Sequence, residues 1–152
     1  MEYIEKDIVP DRNCFYRCIS YCFLETEEFH LEYRNLLYDF MTKNKHLFID
    51  FIYDTNAEVE LSEKERMDIL TNKIENIKIP KEWAGDLEIS GMCIMLNITI
   101  KLFIKDSMNY KQYYTFEGSA NPQIYINMLY VSSNHFNLIY KTNHKFNNQF
   151  IN

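Results

Sequence analysis

Cys14 stands at the beginning of a helical pattern, where a thiol is well placed for nucleophilic chemistry. A turn-like segment, 10–13, precedes it, and small and apolar residues then recur with the helical period at Cys18, Ile19, Cys22 and Phe23. Asp and Asn before such a run are typical helix start signals. The free backbone N–H groups and the dipole of a first helical turn favour the thiolate, which is the nucleophilic form of cysteine. The sequence therefore predicts Cys14 as a candidate nucleophile.

A base for this nucleophile is predicted at His135. The run 135–140 alternates like a strand, so Asn137 points to the same face as His135. The Asn137 side chain could bond one imidazole nitrogen and leave the other facing Cys14, which is the nucleophile, base and orienter logic of a triad. The remaining histidines lie in a charge-rich helical segment or in an Asn-rich tail: His30, His46 and His144.

Each of these residues also has a simpler interpretation. Cys14 could be a buried structural cysteine, His135 a histidine at a strand edge bonded to solvent, and Asn137 a surface residue. Cys18 and Cys22 continue a stripe that could suggest a metal site, but a second distant pair of ligands is missing. We interpret these two cysteines, and the isolated Cys93, as core residues, and we expect no metal site.

Three motifs together resemble a known family. The first is Asp11-x-x-Cys14 followed by an aromatic residue, and the second is His135-x-Asn137 on a late strand. The third is the segment 83–89, Trp-Ala-Gly-Asp-Leu-Glu-Ile, which opens a helix between the other two motifs. Over about residues 8–141 the chain resembles the ovarian-tumour (OTU) family of cysteine proteases, most of whose members are deubiquitinases.

The resemblance implies a role for each residue of the first two motifs. Cys14 would be the nucleophile, His135 the general base and Asn137 the residue that orients it. Asp11 would shape the loop before the helix, cap that helix, or do both. Backbone N–H groups around Arg12 and Cys14 would form the oxyanion hole.

Two further expectations concern the edges of the site. Arg12 stands where the family usually has Gly, so a positive φ there would cost energy or change the geometry of the oxyanion hole. Trp83, the single tryptophan, either anchors the fourth helix in the core or contacts the substrate. Asn134, directly before the predicted base, is expected to contact the substrate as well.

The composition narrows the class of protein. The 152 residues are enough for one domain with a hydrophobic core. We expect a single catalytic domain over 1–152, in which the last residues, 143–152, form a flexible tail. The net charge of −6 disfavours nucleic acid as a partner, and no apolar run approaches the length of a membrane helix. An acidic surface would instead suit a cationic segment, such as the Arg-containing tail of ubiquitin that the resemblance implies. Neighbouring turns of one helix rarely offer disulfide geometry, so reduced thiols and a cytoplasmic monomer are predicted.

The order of predicted elements is helices first and strands afterwards. Helices are predicted over 14–24, 27–52 with a break at Asn44, and 63–77 with a Ser62/Glu65 capping box, and another begins at an Asp86 cap. Strands are predicted at 98–104, 110–116, 124–131 and 135–141, whereas residues 1–13 are expected to be irregular. This order predicts an α+β fold with helices packed on a largely antiparallel sheet, and the resemblance implies that the fold is of the OTU-like papain type.

The function predicted from the sequence is cysteine-dependent deubiquitination. The enzyme would hydrolyse isopeptide bonds at the C-terminus of ubiquitin, polyubiquitin or a ubiquitin-like modifier, without a metal or an organic cofactor. Two alternatives stay open, a papain-like protease that cuts ordinary peptide bonds in a polyprotein and a catalytically inactive binding module with the same fold. Arg12 is the residue that most favours the inactive module.

Overall fold

The computed structural model describes residues 3–52, 60–118, 121–122, 124–132 and 134–141. Four helices and five strands form an α+β fold, as predicted. The predicted flexible tail, with His144, lies outside the described residues. The helices are α1 (Cys14–Leu24), α2 (His30–Lys43), α3 (Glu63–Ile77) and α4 (Asp86–Leu96).

One mixed sheet carries all the described strands. They are β1 (Tyr3–Lys6), β2 (Ile98–Asp106), β3 (Asn109–Glu117), β4 (Ile124–Val131) and β5 (His135–Lys141). Their order across the sheet is β1-β5-β4-β2-β3. Only the β2–β4 pair is parallel among the pairs that join these strands, so the predicted largely antiparallel sheet is confirmed.

The first strand is absent from the sequence prediction, which expected an irregular lead-in. Tyr3–Lys6 pairs antiparallel with β5, with Tyr3 opposite Lys141 and Lys6 opposite Leu138. Four residues are too few for alternation to identify a strand, and the partner lies at the other end of the chain. Because β1 lies alongside β5, the residues that follow it, Asp7 and Ile8, lie close to the predicted base.

The second helical segment is shorter than predicted. Helix α2 begins at His30, and Asn44 ends it, as expected. Beyond Asn44 the chain forms two 3₁₀ turns, Lys45–Leu47 and Ile49–Phe51, rather than another α-helix. The buried face of α2 is not simply its apolar one, because Leu36 is 52% exposed while Arg34 is 1% exposed.

Of two predicted helix caps, one is confirmed and one is wrong. The Ser62 hydroxyl accepts from the Glu65 N–H at 3.2 Å, and Glu65 Oε1 accepts from the Ser62 N–H at 3.3 Å, so the capping box is confirmed. At α4 the predicted Asp86 cap is wrong, because Gly85 is the N-cap and Asp86 is the first helical residue. The Gly85 N–H donates to Glu88 Oε2 at 2.8 Å, which supports this helix start.

The core lies between the sheet and the helices, and α1 lies directly on β5. Cys18 is fully buried there, with its Sγ 3.6 Å from the carbonyl oxygen of Phe136. Cys22 and Cys93 are buried too, so all three are core residues, as interpreted from the sequence. In the described part of the chain, none of the helices has the length and apolar character that crossing a membrane would need.

Candidate active site

Cys14 is the first residue of α1 and faces the turn that leads into β5. Its side chain is almost completely buried, and its Sγ lies 3.7 Å from the carbonyl oxygen of Asn134. Asn134 directly precedes His135, the first residue of β5. The fold therefore brings the predicted nucleophile to the residue beside the predicted base, although the two are far apart in the sequence.

The His135 imidazole is oriented by Asn137. Its Nε2 lies 2.8 Å from Asn137 Oδ1, and the backbone N–H of Ile8 donates to the same oxygen at 2.9 Å. A backbone N–H can only donate, so the atom that it contacts must be the carboxamide oxygen. His135 Nε2 must then carry a proton, which leaves the lone pair on Nδ1. This tautomer suits a base that accepts a proton from a thiol.

The Asn137 carboxamide is also held from its other end. Its Nδ2 donates to Asp7 Oδ1 at 3.4 Å, and Asn137 is 7% exposed. Asp7 and Ile8 thus both contact the orienting residue, and neither was identified from the sequence. No local pattern could have found them, because their contacts depend on the pairing of β1 with β5.

Asp11 shapes the loop before α1. Its Oδ1 accepts from the Asn13 N–H at 3.1 Å, and Arg17 Nη2 lies 2.7 Å from its Oδ2. The N-cap of α1 is Asn13, so Asp11 does not cap the helix directly. Partial burial alone would raise the pKa of Asp11, but the hydrogen bonds from Arg17 and Asn13 hold that pKa well below its usual range.

Arg12 has a positive φ, the case in which a non-glycine residue was predicted to cost energy or to change the geometry. Its φ is 69°, in the left-handed region that costs a non-glycine residue about 1–2 kcal/mol. Its carbonyl oxygen accepts from Arg34 Nη2 at 3.3 Å, and its guanidinium lies 4.6 Å from the ring centre of Trp83. Trp83 is 45% exposed, so it does not anchor α4 in the core.

Asn13 connects the loop to the rest of the protein. Its side chain is buried, and its Oδ1 accepts from Arg34 Nη2 and from the Lys81 N–H, each at 2.9 Å. Arg34 was missed in the sequence because it is charged. The available signal was its position, three residues before Leu37 and seven before Met41, on the face that α2 buries.

The Cys14 thiol is less acidic than its place in the helix predicted. Burial raises its pKa, the backbone N–H groups of Phe136, Phe15 and Cys14 itself lower it, and the Asp11 charge raises it. The balance leaves the pKa above that of an ordinary thiol. The expected preference for the thiolate is therefore wrong for this structure, because loss of water around the sulfur outweighs the first-turn amides.

A cleft of about 460 Å³ lies beside the nucleophile and is lined by residues of α4 and the sheet. Its lining includes Asp86, Tyr113, Phe116, Tyr130, Asn134 and Phe136. Asn134 has a φ of 61°, and its Oδ1 accepts from the Tyr130 hydroxyl at 2.6 Å. Asn134 thus both contacts Cys14 through its carbonyl oxygen and lines this cleft, and its contact with a substrate stays a prediction.

Metal ligation is not supported at this site. Over the ranges that the structure describes, no group of three or more His, Cys, Asp or Glu side chains is arranged to hold a metal ion. The chemistry available from the geometry is attack by a thiol, with an imidazole as base and backbone N–H groups as electrostatic support.

Solved structures with the same fold are numerous. The OTU domain protease of Farallon virus is 19% identical with a TM-score of 0.67, covering 93% of this chain and 86% of its own. The Hazara virus OTU, solved bound to ubiquitin, is 18% identical with a TM-score of 0.65, covering 91% and 80%. An OTU deubiquitinase from Wolbachia pipientis is 14% identical with a TM-score of 0.61, covering 93% and 90%.

At these identities the structural likeness establishes the fold. The curated proteins offer no sequence match. The family model described as OTU-like cysteine protease matches residues 9–144, which include Cys14, His135 and Asn137. The chain therefore belongs to the OTU-like cysteine protease family.

Proposed function

We propose that this protein is a deubiquitinase that hydrolyses isopeptide bonds at the C-terminus of ubiquitin or of a ubiquitin-like modifier. The observation that carries the proposal is the pair of hydrogen bonds at Asn137 Oδ1, from which the His135 tautomer follows. The Ile8 N–H identifies the Asn137 oxygen, and that oxygen leaves His135 Nδ1 free to accept a proton. Family membership supports cysteine protease chemistry. The ubiquitin-bound structure of the Hazara virus OTU supports the choice of substrate.

The reaction begins with Cys14 as a thiol, because burial raises its pKa. His135 Nδ1 takes the thiol proton as Sγ bonds to the isopeptide carbonyl carbon, so the base acts during attack instead of maintaining a resting thiolate. The carbonyl oxygen then carries the negative charge. The N–H groups of Cys14 and Arg12 would stabilise it, and one such donor is typically worth about 3–4 kcal/mol.

The tetrahedral intermediate collapses when the carbon–nitrogen bond breaks. The His135 imidazolium gives its proton to the departing lysine amine, and a thioester between Cys14 and the modifier remains. His135 next takes a proton from water, whose oxygen attacks the thioester carbonyl. When the carbon–sulfur bond breaks, the His135 imidazolium returns its proton to Sγ, which restores the Cys14 thiol, and the released carboxyl group loses its proton to solvent.

Asn137 supports this cycle by orientation. As a neutral amide it cannot stabilise the imidazolium with a full charge, but it holds the ring and its tautomer, as Asn does in other Cys-His-Asn sites. Asp7, whose carboxylate contacts the Asn137 Nδ2, places a negative charge behind the amide. This charge adds to the stabilisation of the imidazolium.

We also propose that the protein works as a monomer in a reducing compartment such as the cytoplasm. Its four cysteines are all buried free thiols. Free thiols are usual in a reducing compartment, whereas disulfides form in an oxidising one. The net charge of −6 supports a cationic segment of the substrate, such as the Arg-containing tail of ubiquitin, as the part that approaches the site.

The test is reaction with ubiquitin that carries a C-terminal thiol-reactive group, read by intact mass. We expect one adduct with the wild-type protein and none with Cys14→Ala, which should also cleave no diubiquitin. Cys93→Ser is the matched control, because Cys93 is a buried residue of α4 that belongs to none of the three motifs, with its Sγ 3.6 Å from the Phe116 carbonyl oxygen.

Three results would contradict parts of the proposal. An adduct that persists in Cys14→Ala would mean that another residue is the nucleophile. Failure to react with ubiquitin, while iodoacetamide still labels Cys14, would favour a protease for ordinary peptide bonds. Failure of both reactions at alkaline pH would favour a binding module without activity.

A further inference from the structure

Arg34 is a buried cation that takes no direct part in the proposed reaction. It lies in the middle of α2 and is 1% exposed, which makes it one of the most completely buried large side chains of the protein. Burying an arginine is costly unless its donors are satisfied. Its guanidinium lies 4.2 Å from the ring centre of Tyr16, and its hydrogen bonds go to carbonyl and carboxamide oxygens.

The hydrogen bonds of Arg34 converge on the loop before the nucleophile. Nη2 donates to the Arg12 carbonyl at 3.3 Å and to Asn13 Oδ1 at 2.9 Å. The same nitrogen lies 2.6 Å from the Glu82 carbonyl oxygen, so its two N–H groups are shared among three acceptors, and Nη1 donates to the Ile77 carbonyl at 2.8 Å. One guanidinium therefore ties the loop to the end of α3 and to the connector before α4.

The conformation of that loop is not the one that its sequence prefers. Arg12 has a φ of 69°, which is unfavourable for a non-glycine residue, so the loop needs contacts that hold it in place. Without those contacts the Arg12–Asn13 peptide plane could turn over. A turned peptide would direct the Arg12 carbonyl oxygen toward the site. Its partial negative charge would then oppose the negative charge that develops on the substrate.

We propose that Arg34 is a positioning residue for the oxyanion hole. It holds the Arg12 carbonyl turned into the protein, and so fixes the middle peptide of the loop whose flanking N–H groups, those of Arg12 and Cys14, would face the reacting carbonyl. Asn13 contributes through its side-chain Oδ1, which accepts from Arg34 and from the Lys81 N–H, while its backbone N–H, the other end of the same peptide, donates to Asp11 Oδ1. The inference deepens the proposed function and rests on it, because it concerns the same thiol chemistry.

The effect should fall on the chemical step. In Arg34→Lys the charge is kept, but one ammonium group cannot reach oxygens in three separate segments. Hydrolysis of a fluorogenic ubiquitin C-terminal amide should show a kcat reduced by up to about 100-fold, as expected for a group misplaced by about 1 Å. KM should change little, because the loss concerns the transition state.

Two further readouts separate positioning from a general loss of structure. Alkylation of Cys14 by iodoacetamide forms no oxyanion, so its rate should match that of the wild type. Binding of ubiquitin C-terminal aldehyde, whose hemithioacetal oxygen occupies the oxyanion hole, should weaken in parallel with kcat. Leu37→Val is the matched control, because Leu37 is fully buried one turn further along α2 and should change stability alone.

A second substitution provides a rescue. Glycine adopts positive φ without the Cβ penalty, so Arg12→Gly should make the active loop less dependent on Arg34. The double variant with Arg34→Lys should therefore recover part of the kcat that Arg34→Lys loses. If Arg34→Lys fails to fold, Arg34→Gln takes its place, because it removes the buried charge and keeps an amide donor.

Several outcomes would overturn the inference. One is an equal loss of kcat in Arg34→Lys and Leu37→Val, and another is a loss of alkylation equal to the loss of hydrolysis. A crystal structure of Arg34→Lys with the Arg12–Asn13 peptide unchanged would overturn it independently of activity. If the wild type does not hydrolyse ubiquitin, that result contradicts the proposed function. The crystal structure of Arg34→Lys still tests whether Arg34 holds the Arg12–Asn13 peptide.

Discussion

At the scale of single residues, the Asn137 carboxamide shows how one backbone group determines the chemistry of a site. Its oxygen accepts from the Ile8 N–H and from His135, and its nitrogen donates to Asp7. With these partners the amide has one orientation, and the imidazole has one tautomer. The roles of Cys14 and His135 depend on that geometry as much as on their residue types.

The pH dependence of Cys14 is a first prediction at this scale. Burial raises the pKa of its thiol, so the thiolate should be scarce at neutral pH and should increase with alkaline pH. The rate of Cys14 alkylation by iodoacetamide, followed by intact mass, should therefore still rise beyond pH ~9, where an ordinary thiol of pKa about 8.5 is levelling off. A rate that is already maximal at neutral pH would show a resting thiolate and contradict the prediction.

Labelling should also be selective for one cysteine. Burial raises the pKa of Cys18, Cys22 and Cys93, the last to about 12. The labelling that remains in Cys14→Ala is the control for these three thiols. It should be negligible over the same pH range.

A second prediction concerns the Asp11–Arg17 pair. The folded-state pKa of Asp11 is depressed, so its contribution to stability is present above the unfolded pKa of about 3.9 and is lost as pH falls through the folded value. Arg17→Gln should therefore lower the free energy of unfolding at neutral pH, and the difference from the wild type should shrink below pH ~4. Urea unfolding at several pH values measures both effects.

A matched control for this pair lies on the surface. Lys78 and Glu75 are 2.9 Å apart, but both side chains are about half exposed. Lys78→Gln should therefore change stability little at any pH. If Arg17→Gln behaves in the same way, the Asp11–Arg17 pair does not stabilise the loop.

At the scale of elements, the site depends on the shortest strand of the sheet. Strand β1 has four residues and pairs with β5 at the edge of the sheet. This pairing places the next residues, Asp7 and Ile8, against Asn137. A strand that the sequence pattern did not identify therefore positions Asn137, which contacts the candidate base His135, because the hydrogen bonds of this strand go to a distant segment.

Deletion of residues 1–6 tests this dependence. Without the β1–β5 ladder, the Ile8 N–H and Asp7 should contact Asn137 only intermittently, so kcat/KM on a fluorogenic ubiquitin substrate should fall. Glu5→Ala is the control, because it removes the Glu5 contacts with Tyr110 and Lys105 and keeps the ladder. Equal activity in the deletion variant and in Glu5→Ala would contradict the role of β1.

At the scale of the whole molecule, α4 must approach the β2–β3 hairpin closely to complete the cleft. Gly118, just after β3, donates its N–H to the Ile98 carbonyl at 3.1 Å. A Cβ at Gly118 would lie 1.9 Å from the Cys93 carbonyl oxygen in α4. The close contact of helix and hairpin therefore requires a residue without a side chain at this position.

Alanine substitutions at two of the three glycines, Gly118 and Gly85, test this requirement and provide its control. Gly118→Ala must move backbone, so it should lower the free energy of unfolding by about 3 kcal/mol or more. Gly85→Ala meets only the Glu88 carboxylate at 3.5 Å, an ordinary contact, and should cost about 1 kcal/mol or less as an N-cap change. Thermal and urea unfolding of both variants compare them. A similar loss in each would mean that α4 can shift away from the hairpin.

Local sequence patterns were sufficient to predict most elements and the chemically active residue types. Helical and strand periods are local, so the capping box at Ser62, the end of α2 at Asn44 and the start of β5 at His135 could be predicted. Cys14 and His135 were predicted because their types and their places in these elements are uncommon. The α+β class was predicted from the order of helices and strands.

The surroundings of these groups, in contrast, depend on tertiary packing. The contacts of Asn137 with Ile8 and Asp7 and of Arg34 with the Arg12 loop join residues far apart in the chain. No local period encodes such contacts, because they arise when distant elements pack together. The raised pKa of Cys14 has the same origin, since burial depends on the complete fold whereas the helix dipole depends only on the first turn.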